Sequence, residues 1–527
     1  MPKPPDLPRP VVTVQNGVTL ALFGLLSIVV IMNHEPWRDE AQAWLISRDS
    51  QSLSELFHWM GYEGTPALWH LLLYPFAQAG LPYGSMAVIH LLLSVLSAFL
   101  LLSFSPFSQT HKTLAVFGYF LFFEYNVIAR SYVLVLVFLF LVASLYRYRF
   151  SRPVVYALPI ALLANTTVHS LVIAGTLALA YLWEIRKADE RKWASGALCL
   201  MFAGCIVSLL QILPPADLNP ITASWHLDLS ARNLGGFSHA VLGAFVPIPQ
   251  WKTAFWNTRL FYALTPTMAI LGIPVFLLSL CYFLRKPIPL FIYLLSNTGL
   301  FAIIFLKHRG SLRHHGLIFI LFLFCIWIAH QYSDSRTGFF RTLNGLTHKT
   351  LMKIFTIILS LHLVAAGTAI FFELKYDFSA ARKAAEYLSR NGLDNERNLV
   401  AAFPAYAAAP VLPFLTQIRK FYYLEYEDLG SFLIWNRHYA LNAKLPIDQI
   451  VARVEKSLKN GSNGTYLILN KKIDNHEGFL EAYELMAYFD ETIVPEESLF
   501  IYRLKLSPQS ESGKEQTDLG ASHGGKA

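Results

Sequence analysis

Residues 18–40 read VTLALFGLLSIVVIMNHEPWRDE. An uncharged apolar run to Met32 gives way at once to His34-Glu35-Pro36-Trp37-Arg38-Asp39-Glu40. Taken from about residue 12, the run has the ~20 residues that cross a bilayer as a helix. No small-residue cleavage pattern follows it, so the expectation is a retained anchor and not a cleaved signal. If the N-terminus is cytoplasmic, the two adjacent carboxylates emerge on the outer face, at the start of a loop running from about 33 to 83.

The rest of the chain supports this frame. Its 527 residues are 54% hydrophobic and only 15% charged, with a mean hydropathy of +0.41, whereas soluble domains carry about 25% charge. A cytosolic enzyme is excluded. Further apolar blocks lie at about 84–104, 113–145, 153–186, 193–213, 259–284, 287–306, 316–332 and 351–372. The blocks 113–145 and 153–186 are too long for one crossing and read as tight hairpins, giving about eleven crossings in all. That count gathers 146–152, 186–192, 285–286 and 333–353 on one side, which is rich in Lys and Arg as cytoplasmic loops are. The cluster Lys307-His308-Arg309-Gly310-Ser311-Leu312-Arg313-His314-His315 falls on the other side, against the rule, and anion binding is the local reason it suggests.

The 43 basic residues against 35 acidic ones therefore mainly report orientation, and a nucleic-acid partner is not needed. Cys199, Cys205, Cys281 and Cys325 all sit in apolar blocks, which indicates neither a disulfide framework nor a Cys-based metal site. From Lys375 onward charge returns to soluble density. Helices are expected at 379–391, with a Ser cap and Gly392 as its stop, and at 447–460; strands are expected at 398–403, 465–470 and 499–504. The expected fold is thus an all-α polytopic membrane domain over 1–372, an extracytoplasmic α/β domain over 373–506, and a disordered tail over 507–527.

Few charged residues remain to carry chemistry. Asp39 and Glu40 could take a proton from a hydroxyl, or could merely offset the dipole of a helix that starts there. Glu124 and Arg130 sit inside an otherwise apolar hairpin, either as a substrate site or as an ion pair with each other. Glu63, between Gly61-Tyr62 and Gly64-Thr65, is a weaker candidate. Lys307, Arg309, Arg313 and His314, with His315, could cradle a phosphate, or attract anionic head groups. His34, His58, His70 and His169 read as packing residues, with His34 and His169 worth testing. There is no P-loop, dinucleotide fingerprint, His-Glu-x-x-His or Gly-x-Ser-x-Gly, which disfavours nucleotide-driven and hydrolase functions.

The stretch Trp37-Arg38-Asp39-Glu40-Ala41-Gln42-Ala43-Trp44, then Gly64-Thr65-Pro66-Ala67-Leu68-Trp69, resembles the first outer loop of GT-C membrane glycosyltransferases. The likeness is to the bacterial branch related to protein O-mannosyltransferases and the lipid A aminoarabinose transferase, often called family 39-like. Where members often carry Pro-Pro-Leu, this chain has Thr65-Pro66-Ala67-Leu68. Glu124 to Tyr132 and Leu312-Arg313-His314-His315-Gly316 resemble later outer-face motifs, so residues 12–372 are covered. The resemblance implies a polyprenyl-phosphate sugar donor, a glycan, lipid or protein acceptor, and inversion at the anomeric carbon. It makes Asp39 the general base and Glu40 its orienting partner. Arg313, with Lys307, Arg309 or His314, would stabilise the departing phosphate. No cofactor is required; a divalent metal at Asp39 and Glu40 is allowed. Neighbours in a helix point about 100° apart, a poor flanking pair for a retaining hydrolase. A flippase or transporter of lipid-linked glycans, and a ligase with a diphosphate-linked donor, are the alternatives. Against the first stands the lack of an internal repeat, and against the second the position of the acidic pair at the chain's start.

Overall fold

The computed structural model describes residues 8–187, 191–219, 231–260, 265–307, 310–334, 347–458 and 464–505. Two compact units result: Met1–Ser379 with Ile434–Ala440 and Glu491–Pro495, and Ala380–Leu433 with Leu441–Asp490 and Glu496–Ala527.

The first unit is helical. Helix α1 (Val14–Asn33) starts where Thr13 Oγ1 accepts the Asn16 N–H. Its burial is the reverse of a soluble helix: Asn16, Thr19 and Ser27 point inward with Phe23 and Val30, while Leu22, Leu25, Leu26 and Val29 are exposed. Apolar side chains outward and small polar ones at helix contacts are what a lipid solvent selects. Among the described residues, six helices are long and apolar enough to cross a membrane: Val14–Asn33, Ser85–Phe104, Lys192–Gln211, Pro287–Leu306, Leu312–Ala329 and His348–Glu373. Between the first two lie α2 (Arg38–Asp49), α3 (Leu53–Glu63) and α4 (Leu68–Gln78), before α5 (Ser85–Phe104). Ser52 caps α3 by accepting the Glu55 N–H, while the Glu55 carboxylate takes the N–H of Gln51.

The 153–186 block breaks at Asn165–Thr167 into helices Pro153–Ala164 and Val168–Glu184. The 113–145 block departs from a plain hairpin. Helix α6 is only Gln109–Val116, a π-helical turn follows at Tyr119–Glu124, residues 125–131 are irregular, and α7 runs Tyr132–Leu145. Hydropathy could not show this, because residues 119–129 are buried throughout, and broken backbone is tolerated at membrane depth where protein covers it. The break is held from several sides. Asn126 Nδ2 donates to Ser27 Oγ at 2.8 Å, and His90 of α5 contacts the carbonyls of Asn126 (3.1 Å) and Arg130 (3.3 Å).

The second unit carries a six-stranded sheet in the order β3-β2-β1-β4-β6-β5, with β1 Asn398–Phe403, β2 Phe421–Tyr423, β3 Asp428–Gly430, β4 Gly464–Leu469, β5 Tyr483–Phe489 and β6 Leu499–Leu504. Strand β1 is parallel to both β2 and β4; the remaining pairs are antiparallel. The helix expected at 379–391 is Ala381–Arg390, capped at Ala380 without a side-chain bond, so Ser379 is not its cap; Gly392 follows its end. The tail expected at 507–527 lies outside the described residues.

Candidate active site

Asp39 and Glu40 both lie in the first turn of α2 and part at once. Glu40 turns inward and is wholly buried. Its Oε2 accepts the Trp37 N–H and meets His34 Nε2, both at 3.0 Å, and its Oε1 accepts the Ala129 N–H at 2.6 Å. His34 reaches on through Nδ1 to Glu373 Oε1 at 2.7 Å. This closed cluster ties the end of α1, the start of α2, the irregular segment and the end of the His348–Glu373 helix. Burial alone would lower the His34 pKa, but the charges and hydrogen bonds of Glu40 and Glu373 push it up to about 10, so the ring is an imidazolium at neutral pH.

Asp39 faces the other way and stays accessible. Its Oδ2 is bonded by Arg130 Nη1 and lies 3.4 Å from Arg313 Nη2, and its Oδ1 is 3.9 Å from Arg38 Nε. Burial opposes ionisation here, yet Arg130, Arg313 and Arg38 together hold the carboxyl below the usual range. Trp37 forms the wall, with the guanidinium carbons of Arg38, Arg130 and Arg313 at 5.2, 5.9 and 5.2 Å from its ring centroid. Trp256 meets Trp37 edge-on at 4.7 Å and lies 5.7 Å from Arg313. The buried Arg313 Nε–H and Trp37 Nε1–H find no acceptor among the described residues. Orphaned buried donors beside a cationic recess ask for an acceptor from outside the chain.

Of the two readings of Glu124 and Arg130, the ion pair between them is not formed. Glu124 accepts from the Tyr119 hydroxyl (2.9 Å) and from Trp256 Nε1 (3.1 Å), and so fixes the aromatic wall, whereas Arg130 goes to Asp39. Arg313 stands in the first turn of the Leu312–Ala329 helix. That helix starts at Ser311, whose N–H donates to His314 Nδ1 at 2.9 Å, while Asn257 Oδ1 accepts the Leu312 N–H at 3.2 Å. The Tyr125 hydroxyl donates to the Arg313 carbonyl. A Cβ on Gly316 would collide with Phe120 and the Tyr125 hydroxyl, so glycine is what lets this helix approach the π-turn. Glu63, part-exposed at the end of α3, accepts from Gln42 Nε2 at 2.8 Å.

The basic cluster divides. Arg313 is in the site. His314 packs between Tyr132 and His169, at centroid distances of 6.1 and 4.9 Å. Lys307 is exposed at the end of the Pro287–Leu306 helix, and Arg309 lies outside the described residues. Sequence reasoning missed Trp256, Gln42, Tyr119, the His34–Glu373 link and Arg259, which contacts His315 at 2.8 Å. Trp256, Glu373 and Arg259 lie far along the chain from their partners and carry no motif, while Gln42 and Tyr119 are uncharged residues that nothing in the pattern singles out. A shared divalent ion does not fit the Asp39–Glu40 pair as folded. Both Glu40 oxygens face N–H donors, Asp39 faces guanidiniums, and no group of three or more His, Cys, Asp or Glu side chains placed to hold a metal ion occurs among the described residues.

No protein-family model matches the chain, and no curated protein sequence matches it. Among solved structures, the crystal structure of ArnT from Cupriavidus metallidurans bound to undecaprenyl phosphate is similar, with a TM-score of 0.49 and 12% identity over 94% of this chain and 99% of that one. At that distance the chemistry has to be read from the side chains.

Proposed function

We propose that the chain is an inverting glycosyltransferase that moves a sugar from a polyprenyl-phosphate donor to a glycan, lipid or protein acceptor at the outer face of a bacterial inner or plasma membrane. One observation carries the reading. At the exit of α1, an accessible carboxylate is shared by Arg130 and Arg313, beside buried Arg313 Nε–H and Trp37 Nε1–H groups that lack acceptors among the described residues. Two guanidiniums converge on this carboxylate, and guanidinium geometry suits phosphate oxygens.

In this reading the chain crosses the membrane about eleven times, the N-terminus is cytoplasmic and the C-terminal domain extracytoplasmic. The first loop and the 310–316 segment then open to the same leaflet. The donor phosphodiester carries one negative charge and the departing phosphomonoester two. Arg130 and Arg313 meet the charge that grows, which is the kind of interaction that accelerates a reaction. A leaving group of this acidity needs no general acid. The acceptor hydroxyl needs a base, and two accessible carboxylates stand nearby: Asp39, which the family resemblance names, and Glu63. No metal step is required.

The test is binding of undecaprenyl phosphate to the purified full-length protein, followed by native mass spectrometry. Removing a charge-assisted contact of about 1.5–3 kcal/mol should make Arg130→Ala and Arg313→Ala bind roughly 10- to 100-fold more weakly. Wild-type affinity in both variants would sink the phosphate assignment.

A further inference from the structure

The two carboxylates that border the recess live in different surroundings. Asp39 is engaged by Arg130 and Arg313 and faces Arg38 as well. A proton placed on it would cost those contacts, so it is a weak base. Glu63 takes one neutral hydrogen bond, from Gln42 Nε2 to Oε1, and Oε2 has no partner among the described residues.

Position favours Glu63 too. Asp39 and Gln42 are three apart on α2 and share a face, and Glu63 is held by Gln42, within electrostatic reach of Asp39 and Arg130. The end of α3 is fixed there. Gly64 at φ 60° closes the helix, the Tyr62 hydroxyl donates to Asp217 at 2.8 Å, and Gln211 accepts the Ala67 N–H at 2.9 Å. Charged groups acting on Glu63 are Asp39, which disfavours its anion, and Arg130, which favours it. The negative end of the α3 dipole also disfavours the anion. Burial is the largest influence, and the sum raises the Glu63 carboxyl to about 7. A base of that strength suits proton transfer at neutral pH, and carboxylates set apart in this way divide their roles.

We propose that Glu63 receives the proton of the acceptor hydroxyl, and that Asp39 positions Arg130 and Arg313 for the departing phosphate. The assignment rests on the glycosyl-transfer reading above. The acceptor oxygen forms its bond to the anomeric carbon as its proton passes to Glu63. The bond from that carbon to the phosphate oxygen breaks, and its electron pair stays on the phosphate. The products are the glycoside, polyprenyl phosphate and a neutral Glu63, which later returns its proton to water.

The experiment uses the full-length protein in lipid nanodiscs. Donors are undecaprenyl-phosphate glucose, galactose, mannose and aminoarabinose, acceptors come from an envelope lipid and glycan extract, and the readout is released undecaprenyl phosphate. Glu63→Gln is expected to lower kcat by about 10²–10⁴-fold with undecaprenyl phosphate affinity unchanged. Glu63→Asp should recover part of the loss. The wild-type rate should rise with pH through about 7, and the residual activity of Asp39→Asn should keep that limb. If Glu63→Gln turns over within three-fold of wild type, or if Asp and Gln lose activity equally, the proton assignment is overturned while the transfer reading stands. A wild-type protein that neither binds undecaprenyl phosphate nor releases it from any donor overturns both.

Discussion

Glu40→Gln separates a structural carboxylate from a chemical one, because it keeps the shape of the side chain and removes its charge. Glu40 is fully buried and holds three donors: the Trp37 N–H and His34 Nε2 on one oxygen, and the Ala129 N–H on the other. A glutamine can put its carbonyl oxygen where Oε2 now sits and keep the first two. Its NH2 group then confronts the Ala129 N–H, so the 2.6 Å bond is lost and a buried donor is left without an acceptor. A charge-assisted hydrogen bond contributes about 1.5–3 kcal/mol, and the His34 imidazolium also loses one of its two carboxylates. Breaking a buried ion pair from one side costs about 3–5 kcal/mol, so a loss of about 4 kcal/mol is expected. Against a net stability of about 5–15 kcal/mol, that is large. Thermal unfolding of the full-length protein in detergent should show a fall of several degrees, and activity per folded molecule should drop far less than in Glu63→Gln. A Glu40→Gln protein that melts like wild type yet is inactive would refute the structural role and return Glu40 to the chemistry.

The same cluster gives a pH dependence. The folded His34 pKa of about 10 lies above its ordinary 6.5, so its stabilisation is complete below the ordinary value and is lost as pH rises from there through about 10. The melting temperature should decline across that window and decline less in His34→Gln; a flat profile in wild type would contradict the imidazolium bridge. Gly316→Ala drives a methyl group into Phe120 and Tyr125 and should destabilise by about 1–3 kcal/mol. Unchanged denaturant unfolding would show that the π-turn gives way without cost.

How much of this was legible follows from what each feature leaves in a sequence. Long apolar runs announce α1, α5 and the helices at 287–306, 312–329 and 348–373, because lipid selects composition along the whole segment. Strands at 398–403, 464–469 and 499–504 show as short apolar runs, the last two rich in β-branched and aromatic residues, whereas β2 and β3, three residues each, are too short to signal. The break at 119–131 was hidden, since a π-turn packed inside protein is as apolar as the helix it interrupts. Asp39 and Glu40 look alike in sequence, and only the turn of α2 sends one to a cationic recess and the other to buried N–H donors. Arg130 had Glu124 six residues away and Asp39 ninety-one away; proximity in the chain favoured the first, and the fold selected the second. Glu124 instead answers to Trp256, 132 residues on, a link that no local pattern carries.

The scarcity of charge in this chain makes its division at one end of the helical unit informative. Buried ions are costly, and a cluster that is shut off from solvent and paired ion to ion serves to hold shape. His34, Glu40 and Glu373 form such a cluster: the histidine lies between the two carboxylates, Glu40 is saturated by N–H donors, and all three side chains are shielded from solvent. Asp39, Arg130 and Arg313 are built otherwise. They are part-exposed, walled by Trp37 and Trp256, and leave an Arg313 N–H without an acceptor among the described residues. A ligand from solvent can reach these side chains, whereas it cannot reach the closed cluster. The peptide bond between Asp39 and Glu40 joins the two, so the closed cluster sets the position from which the open one meets an anion.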